Sequence, residues 1–165
     1  MDLLPDTGPP WQAKCWGWTR EVPEAPPFFR NDPRLSTWQL FVTAGGFCSV
    51  HTHRKTNEFY VESGVVLVQL WINPEDPPGG SVLEPGFGMR VSPGTPHRFC
   101  VLESGWLWEQ YIPPHGQDKC DPNDIHRMRP GGHLRKPGRR VRPGTDDARP
   151  AAFTPEDFLF AAGNP

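Results

Sequence analysis

Proline has no N–H to give to a sheet ladder and fixes its own φ, so its placement limits where strands can run. Of the 22 prolines in these 165 residues, seven lie in residues 1–33 and nine in 113–165. Only six fall in the 79 residues from 34 to 112, so this middle is the part able to carry sheet. It reads as short β-rich runs between turn clusters: Thr37–Thr43, Phe47–His53, Glu58–Glu62, Val65–Ile72, Ser81–Leu83, Gly88–Ser92, His97–Leu102 and Trp106–Ile112. Asn73–Gly80 is a loop by composition. No stretch has a helical period. The expectation is an all-β fold, a sandwich or small barrel over 34–126, entered by an irregular N-terminal arm (1–33). Seven Trp, two Tyr and ten Phe argue against a disordered chain despite the Pro and Gly content.

The C-terminal segment, 127–165, has a different character. Residues 127–149 hold eight Arg or Lys and two Asp, a local charge of +6 against −2 for the whole chain. Gly and Pro punctuate this segment, and no aromatics interleave with its charges for base stacking, so a solvated tail is expected and nucleic acid is not. Thr154-Pro155-Glu156-Asp157 has the makings of a capped helical turn, followed by Phe158, Leu159 and Phe160. No apolar run is long enough for a membrane span, and the first residues have no signal-peptide pattern. Cys15, Cys48, Cys100 and Cys120 form no C-x-x-C pair, and a cytoplasmic protein with reduced thiols is expected.

The residues able to do chemistry cluster in two places. In His51-Thr52-His53-Arg54-Lys55-Thr56-Asn57-Glu58, the two histidines share one face of a strand, about 7 Å apart at the backbone. A turn at Arg54–Asn57 lets the next strand aim Glu58 back at them. In Ser92-Pro93-Gly94-Thr95-Pro96-His97, a Pro/Gly turn opens a strand on His97, a donor from elsewhere in the sheet. Three His and a carboxylate suit one divalent ion (Zn, Mn, Fe, Co or Ni) and leave positions open for a substrate. His115, His126 and His133 lie in Pro/Gly-rich or charged surroundings and read as surface residues.

At this point the sequence resembles the cupin superfamily. The first cupin motif is G-x5-H-x-H-x3,4-E-x6-G. Gly45, His51, His53 and Glu58 fit it, and Gly64 closes it one residue early. In the second, G-x5-P-x-G-x2-H-x3-N, Gly86, Gly94 and His97 match, with Ser92 where Pro is usual and Val101 where Asn is usual. The resemblance implies a jelly-roll β-barrel with a metal held by His51, His53, Glu58 and His97. Two flanking features narrow it. Lys14-Cys15-Trp16-Gly17 is similar to the K-P-W-G start of cupins related to type II mannose-6-phosphate isomerase. Trp106–Tyr111 and Asp121-Pro122-Asn123-Asp124-Ile125 look like the closing elements of sugar isomerase cupins such as D-lyxose isomerase.

This resemblance implies a metal-dependent sugar or sugar-phosphate isomerase or epimerase. Glu109, with Glu58, is the carboxylate expected to move the proton. Tyr60, Lys55 and Tyr111 are expected to meet the substrate. Strand parity groups Glu109 with Leu107 and Tyr111 and sets Trp106 and Trp108 on the other face, without saying which face is inside. If the tryptophan face is outside, it suits a homodimer. An Fe(II) cupin dioxygenase and a non-catalytic carbohydrate-binding cupin are the alternatives.

Overall fold

The computed structural model describes residues 8–135 and 153–159. Thirteen strands follow in chain order: β1 (Gln12–Lys14), β2 (Gly17–Val22), β3 (Ser36–Val42), β4 (Gly46–Phe47), β5 (Val50–Thr52), β6 (Thr56–Val61), β7 (Val65–Leu70), β8 (Gly79–Leu83), β9 (Gly88–Val91), β10 (His97–Glu103), β11 (Gly105–Ile112), β12 (His126–Arg129) and β13 (Gly132–His133). They form two antiparallel sheets. The first runs β1-β2-β3-β11-β6-β9. The second runs β12-β5-β10-β4-β13, with β7 on the other edge of β10 and β8 beyond it. Strands drawn from distant parts of the chain thus lie side by side, a jelly-roll arrangement.

The first sheet starts at Gln12, inside the segment expected to be an irregular arm, because β2 pairs with β3 from Gly17↔Val42 to Val22↔Thr37. Most of the basic segment, residues 136–149, lies outside the described residues. Arg127 and Arg129 belong to β12, which pairs with β5. Among the described residues, no helix is long and apolar enough to cross a membrane.

Period-2 alternation fills the interior. Leu40 and Val42 of β3, Phe59 and Val61 of β6, Val66 and Val68 of β7, Phe99 and Val101 of β10 and Leu107 of β11 meet between the sheets. Gly45, the first glycine of the motif, adopts φ 90°. A Cβ there would lie 2.7 Å from the Leu134 carbonyl oxygen, so the turn needs glycine for conformation and for space.

Both outer faces are partly covered. On the first sheet, Trp11 packs against Trp106, and Phe28 stacks on Tyr60 at 3.8 Å and meets Trp108 edge-on. The chain's own N-terminal arm therefore occupies part of the face on which a homodimer was expected.

The second sheet is sealed by the C-terminal residues. The expected turn forms as a 3-10 helix over Pro155–Phe158, with the Asp157 carboxylate accepting from the Thr154 N–H at 2.8 Å. Phe158 is fully buried and clusters with Phe47 and Phe153. Its carbonyl accepts from Arg98 Nη2 at 3.2 Å, and Arg98 Nε donates to Gln69 Oε1 at 2.7 Å. Arg98 points away from the barrel interior, as a strand neighbour of His97 must, yet is only 1% exposed because this turn lies over it. Phe158→Ala removes the plug and wets a buried guanidinium. A loss of about 3–5 kcal/mol is expected, read as a lower denaturant midpoint. An unchanged midpoint would show that the turn is ornamental to the barrel.

Candidate metal centre

Two turns bring the histidines together. His51 lies on β5 and pairs directly with His97 at the start of β10. The turn before His97 holds Gly94 at φ 77°, and the Gly94 N–H donates to the His53 carbonyl at 2.8 Å. The glycine of the second motif thus ties its turn to the histidine of the first. The ring centroids stand 4.5 Å (His51–His97), 4.9 Å (His53–His97) and 5.5 Å (His51–His53) apart. One ring nitrogen from each can be chosen so that all three lie within 4.8 Å of one another.

Each imidazole is oriented by a backbone carbonyl two residues away. Nδ1 bonds Ser49 O at 2.7 Å in His51, Lys55 O at 2.7 Å in His53 and Thr95 O at 2.8 Å in His97. A carbonyl only accepts, so each Nδ1 carries the hydrogen and each Nε2 keeps its lone pair. The Nε2 atoms of His53 and His97 are buried without a hydrogen-bond partner. Burial pushes His51 down to about 3 and His97 to about 4, and it lowers His53 as well. Three neutral rings with nitrogens within 4.8 Å of one another, two of them orphaned, are what a divalent ion requires, so the donor set fits one.

Glu58 does not join them. The inward residues of β6 are Asn57, Phe59 and Val61, and Glu58 and Tyr60 stand on the outer face. Glu58 forms an ion pair with Arg90 of the neighbouring strand β9, and Tyr60 stacks on Phe28. Neither is placed to coordinate or to meet a substrate. The reason is parity: the turn ends at Lys55, β6 begins at Thr56, and an even step from there faces out. Asn57 takes the inward place instead. It is 1% exposed, its Oδ1 has no hydrogen-bond partner, and its amide lies beside the Glu109 carboxylate. The signal was present in the sequence, since the first motif admits three residues as well as four after its second histidine, and three lead to Asn57.

On β11 the inward set is Leu107, Glu109 and Tyr111. Glu109 is 8% exposed, and its carboxylate accepts from the Tyr111 hydroxyl at 2.8 Å. Burial pushes it up to about 7, against the opposing influence of the Tyr111 hydroxyl, the Asn57 amide and the Lys55 charge. The Tyr111 ring meets the His53 ring edge-on at 5.6 Å.

Lys55 is also buried, at 8% exposure, with Nζ 4.5 Å from the centre of the Tyr111 ring. Its other contact is the Asp121 carbonyl at 3.4 Å, and among the described residues it has no ion pair with a carboxylate. The turn that carries it is fastened by Asp124, which accepts from the Arg54 and Lys55 N–H groups at 3.0 and 3.1 Å. Burial opposes ionisation of Asp124, but these bonds and the Arg54 guanidinium hold its carboxyl below its usual value. The acidic segment at 121–125 thus braces the site from outside.

His53, Lys55, Glu109 and Tyr111 open onto one cavity of about 520 Å³, with Trp16 and Trp38 in its wall. Lys14, Arg34, Lys119 and Arg127 add basic groups to the lining, and Glu21 is its other acid.

No protein-family model matches the chain, and no curated protein matches it. Solved structures do. The chain is similar to oxalate decarboxylase from Bacillus subtilis at pH 4.6, with TM-score 0.56 and 15% identity, over 73% of this chain and 30% of that one. It is similar to the formate complex of Lactobacillus farciminis oxalate decarboxylase, with TM-score 0.52 and 19% identity, over 66% and 32%. The chain spans about a third of the length of these neighbours. At these identities the likeness speaks for the fold. The chain therefore has a jelly-roll β-barrel, whose interior brings together three histidines that could hold one divalent metal ion.

Proposed function

We propose that this cupin is a metal-dependent isomerase or epimerase of a small sugar or sugar phosphate. The observation that carries the reading is Glu109: a buried carboxylate, with a pKa raised to about 7, in the same cavity as His53. A proton carrier works best with a pKa near the working pH. When bound, a divalent ion supplies a Lewis acid that makes a hydrogen beside a sugar carbonyl more acidic.

Glu109 then takes that proton from carbon and returns it to the neighbouring carbon, while the hydroxyl proton passes to the former carbonyl oxygen, which interconverts aldose and ketose. Returned to the same carbon from the other side, it inverts that centre. The Tyr111 hydroxyl donates to the carboxylate and holds it in one orientation. Lys55, buried and without a carboxylate partner, is suited to an anionic or strongly polar group of the substrate. Trp16 and Trp38 offer apolar faces to sugar carbons.

The test is incubation with pentoses, hexoses and their phosphates in D2O, after loading the protein in turn with Zn, Mn, Co, Ni or Fe(II). Deuterium appearing at the carbon next to the carbonyl of one substrate, with product formed under argon, is the expected result. Turnover that requires oxygen, or no exchange with any ion, would sink the reading.

A further inference from the structure

We infer that the cavity holds a phosphate subsite on Lys55, Lys119 and Arg127, so that the molecule taken is a phosphorylated sugar and not a free one. The phosphate rests on these side chains; the sugar rests on the proposed isomerase chemistry. The chain as a whole is slightly acidic, with 19 Asp and Glu against 17 Lys and Arg. Its cavity reverses that balance: Lys14, Arg34, Lys55, Lys119 and Arg127 line it, against Glu21 and Glu109. Arg34 is neutralised by Asp32, with Nη2 2.7 Å from Oδ2. The other four cations have no ion pair among the described residues. Glu21 is turned to Ser36, whose hydroxyl donates to its carboxylate at 2.6 Å.

Lys55 shows where the charge is needed. Water solvates an exposed lysine, but Lys55 is only 8% exposed. One of its three donors reaches the Asp121 carbonyl at 3.4 Å, and the ammonium otherwise lies over the Tyr111 ring. A buried ammonium without a counter-ion is costly, and sugar hydroxyls, which carry no charge, do not offset it. An anion does. The contact with Asp121 sets Lys55 against the loop that carries Lys119, and this loop leads into β12, where Arg127 pairs with His51. Asp121 and Asp124 of that loop turn their carboxylates to the Asn123 N–H and to Arg54. Lys119 and Arg127 are exposed and line the same cavity, so they present charge where a ligand enters, and Lys55 holds it inside.

A phosphate monoester suits this set better than a carboxylate does. It brings a charge of about −1.5 to −2 and three oxygens, which accept from donors arriving from separate directions. Lysine meets it as a point charge. Lys55 also lies against the ring of Tyr111, whose hydroxyl donates to Glu109 at 2.8 Å. The subsite therefore lies next to the proton carrier, as a short phosphorylated sugar requires.

The test is calorimetric titration of the full chain with inorganic phosphate at low ionic strength, before and after metal is removed with a chelator and the chelator by gel filtration. Binding that survives chelation is expected, and it should weaken as salt is added. Lys55→Met, which keeps the apolar stem, should lose about tenfold or more in affinity, because hydrogen bonds to charged groups are worth that. Lys119→Ala/Arg127→Ala, altered only at exposed positions, should fold and bind more weakly as well. No binding by the wild type, binding abolished by chelation, or affinity within twofold of wild type in Lys55→Met would overturn the inference. If Lys55→Met does not fold, the double variant decides by the same twofold limit. Deuterium exchange into a free sugar but not into its phosphate ester would also overturn it, and would leave the isomerase standing. Phosphate bound through Lys55 with no exchange into any substrate would uphold the subsite and overturn the isomerase reading instead.

Discussion

Purified His97→Ala should contain no metal after gel filtration, and the wild type about one ion per chain, as a single three-histidine site requires. His97 is fully buried, its Nδ1 is committed to Thr95 O, and its Nε2 has no partner in the protein. Removing an outer-sphere partner of a metal ligand costs about 10–100-fold in affinity. Loss of one of three histidine donors should exceed that and take the ion below detection. His97→Gln, which leaves a smaller void, separates loss of the donor from damage to the core. Elemental analysis beside circular dichroism checks both variants. Metal retained in folded His97→Ala would mean that the three imidazoles are a satisfied polar core and hold nothing.

The largest effect on turnover should come from Glu109→Gln. A positioned proton carrier contributes about 10²–10⁴ in rate, and the amide keeps the shape while losing the base. Metal content should stay at the wild-type level, because Glu109 is not among the three donors. The pH profile gives an independent check. Burial favours the neutral acid and pushes Glu109 up to about 7, so the basic form accumulates as pH rises through that region. The ascending limb of the rate should fall there, displaced to lower pH once a cation is bound nearby. That limb should be absent from the residual rate of Glu109→Gln. A variant with wild-type turnover would remove Glu109 from the chemistry and assign the proton transfer to another group.

The two motifs and the strand-rich middle of the chain were legible because each rests on local rules. Proline placement confined the sheet, and alternation marked the runs. H-x-H put His51 and His53 on one side, and Pro-Gly-Thr-Pro marked the turn into His97. The capped turn at Thr154–Asp157 was legible for the same reason, since its bonds run between neighbours in sequence. Glu58 failed on a single count of parity. Where a turn ends decides which residues of the next strand face in, and composition does not state that to within one residue. With β6 starting at Thr56, Asn57 went inward and Glu58 went out to Arg90. Tyr60 followed Glu58 outward for the same reason.

By itself, then, the sequence determined the class of fold, the three histidines and the turn that delivers the third. All of these depend on residue type and on spacings of a few residues. Only the tertiary structure decided that Glu109 faces inward, because either face of β11 is apolar enough to be buried. What covers each face is long-range: Trp11 and Phe28 come from the arm to cover Trp106 and Trp108. It alone showed that Arg98 is buried, since the residue lying over it, Phe158, is 60 positions away. It alone placed Asp124 under the turn that carries Lys55, about as far along the chain. In a jelly roll the neighbours that set burial, charge and pKa come from the far ends of the chain, and no short-range pattern encodes them.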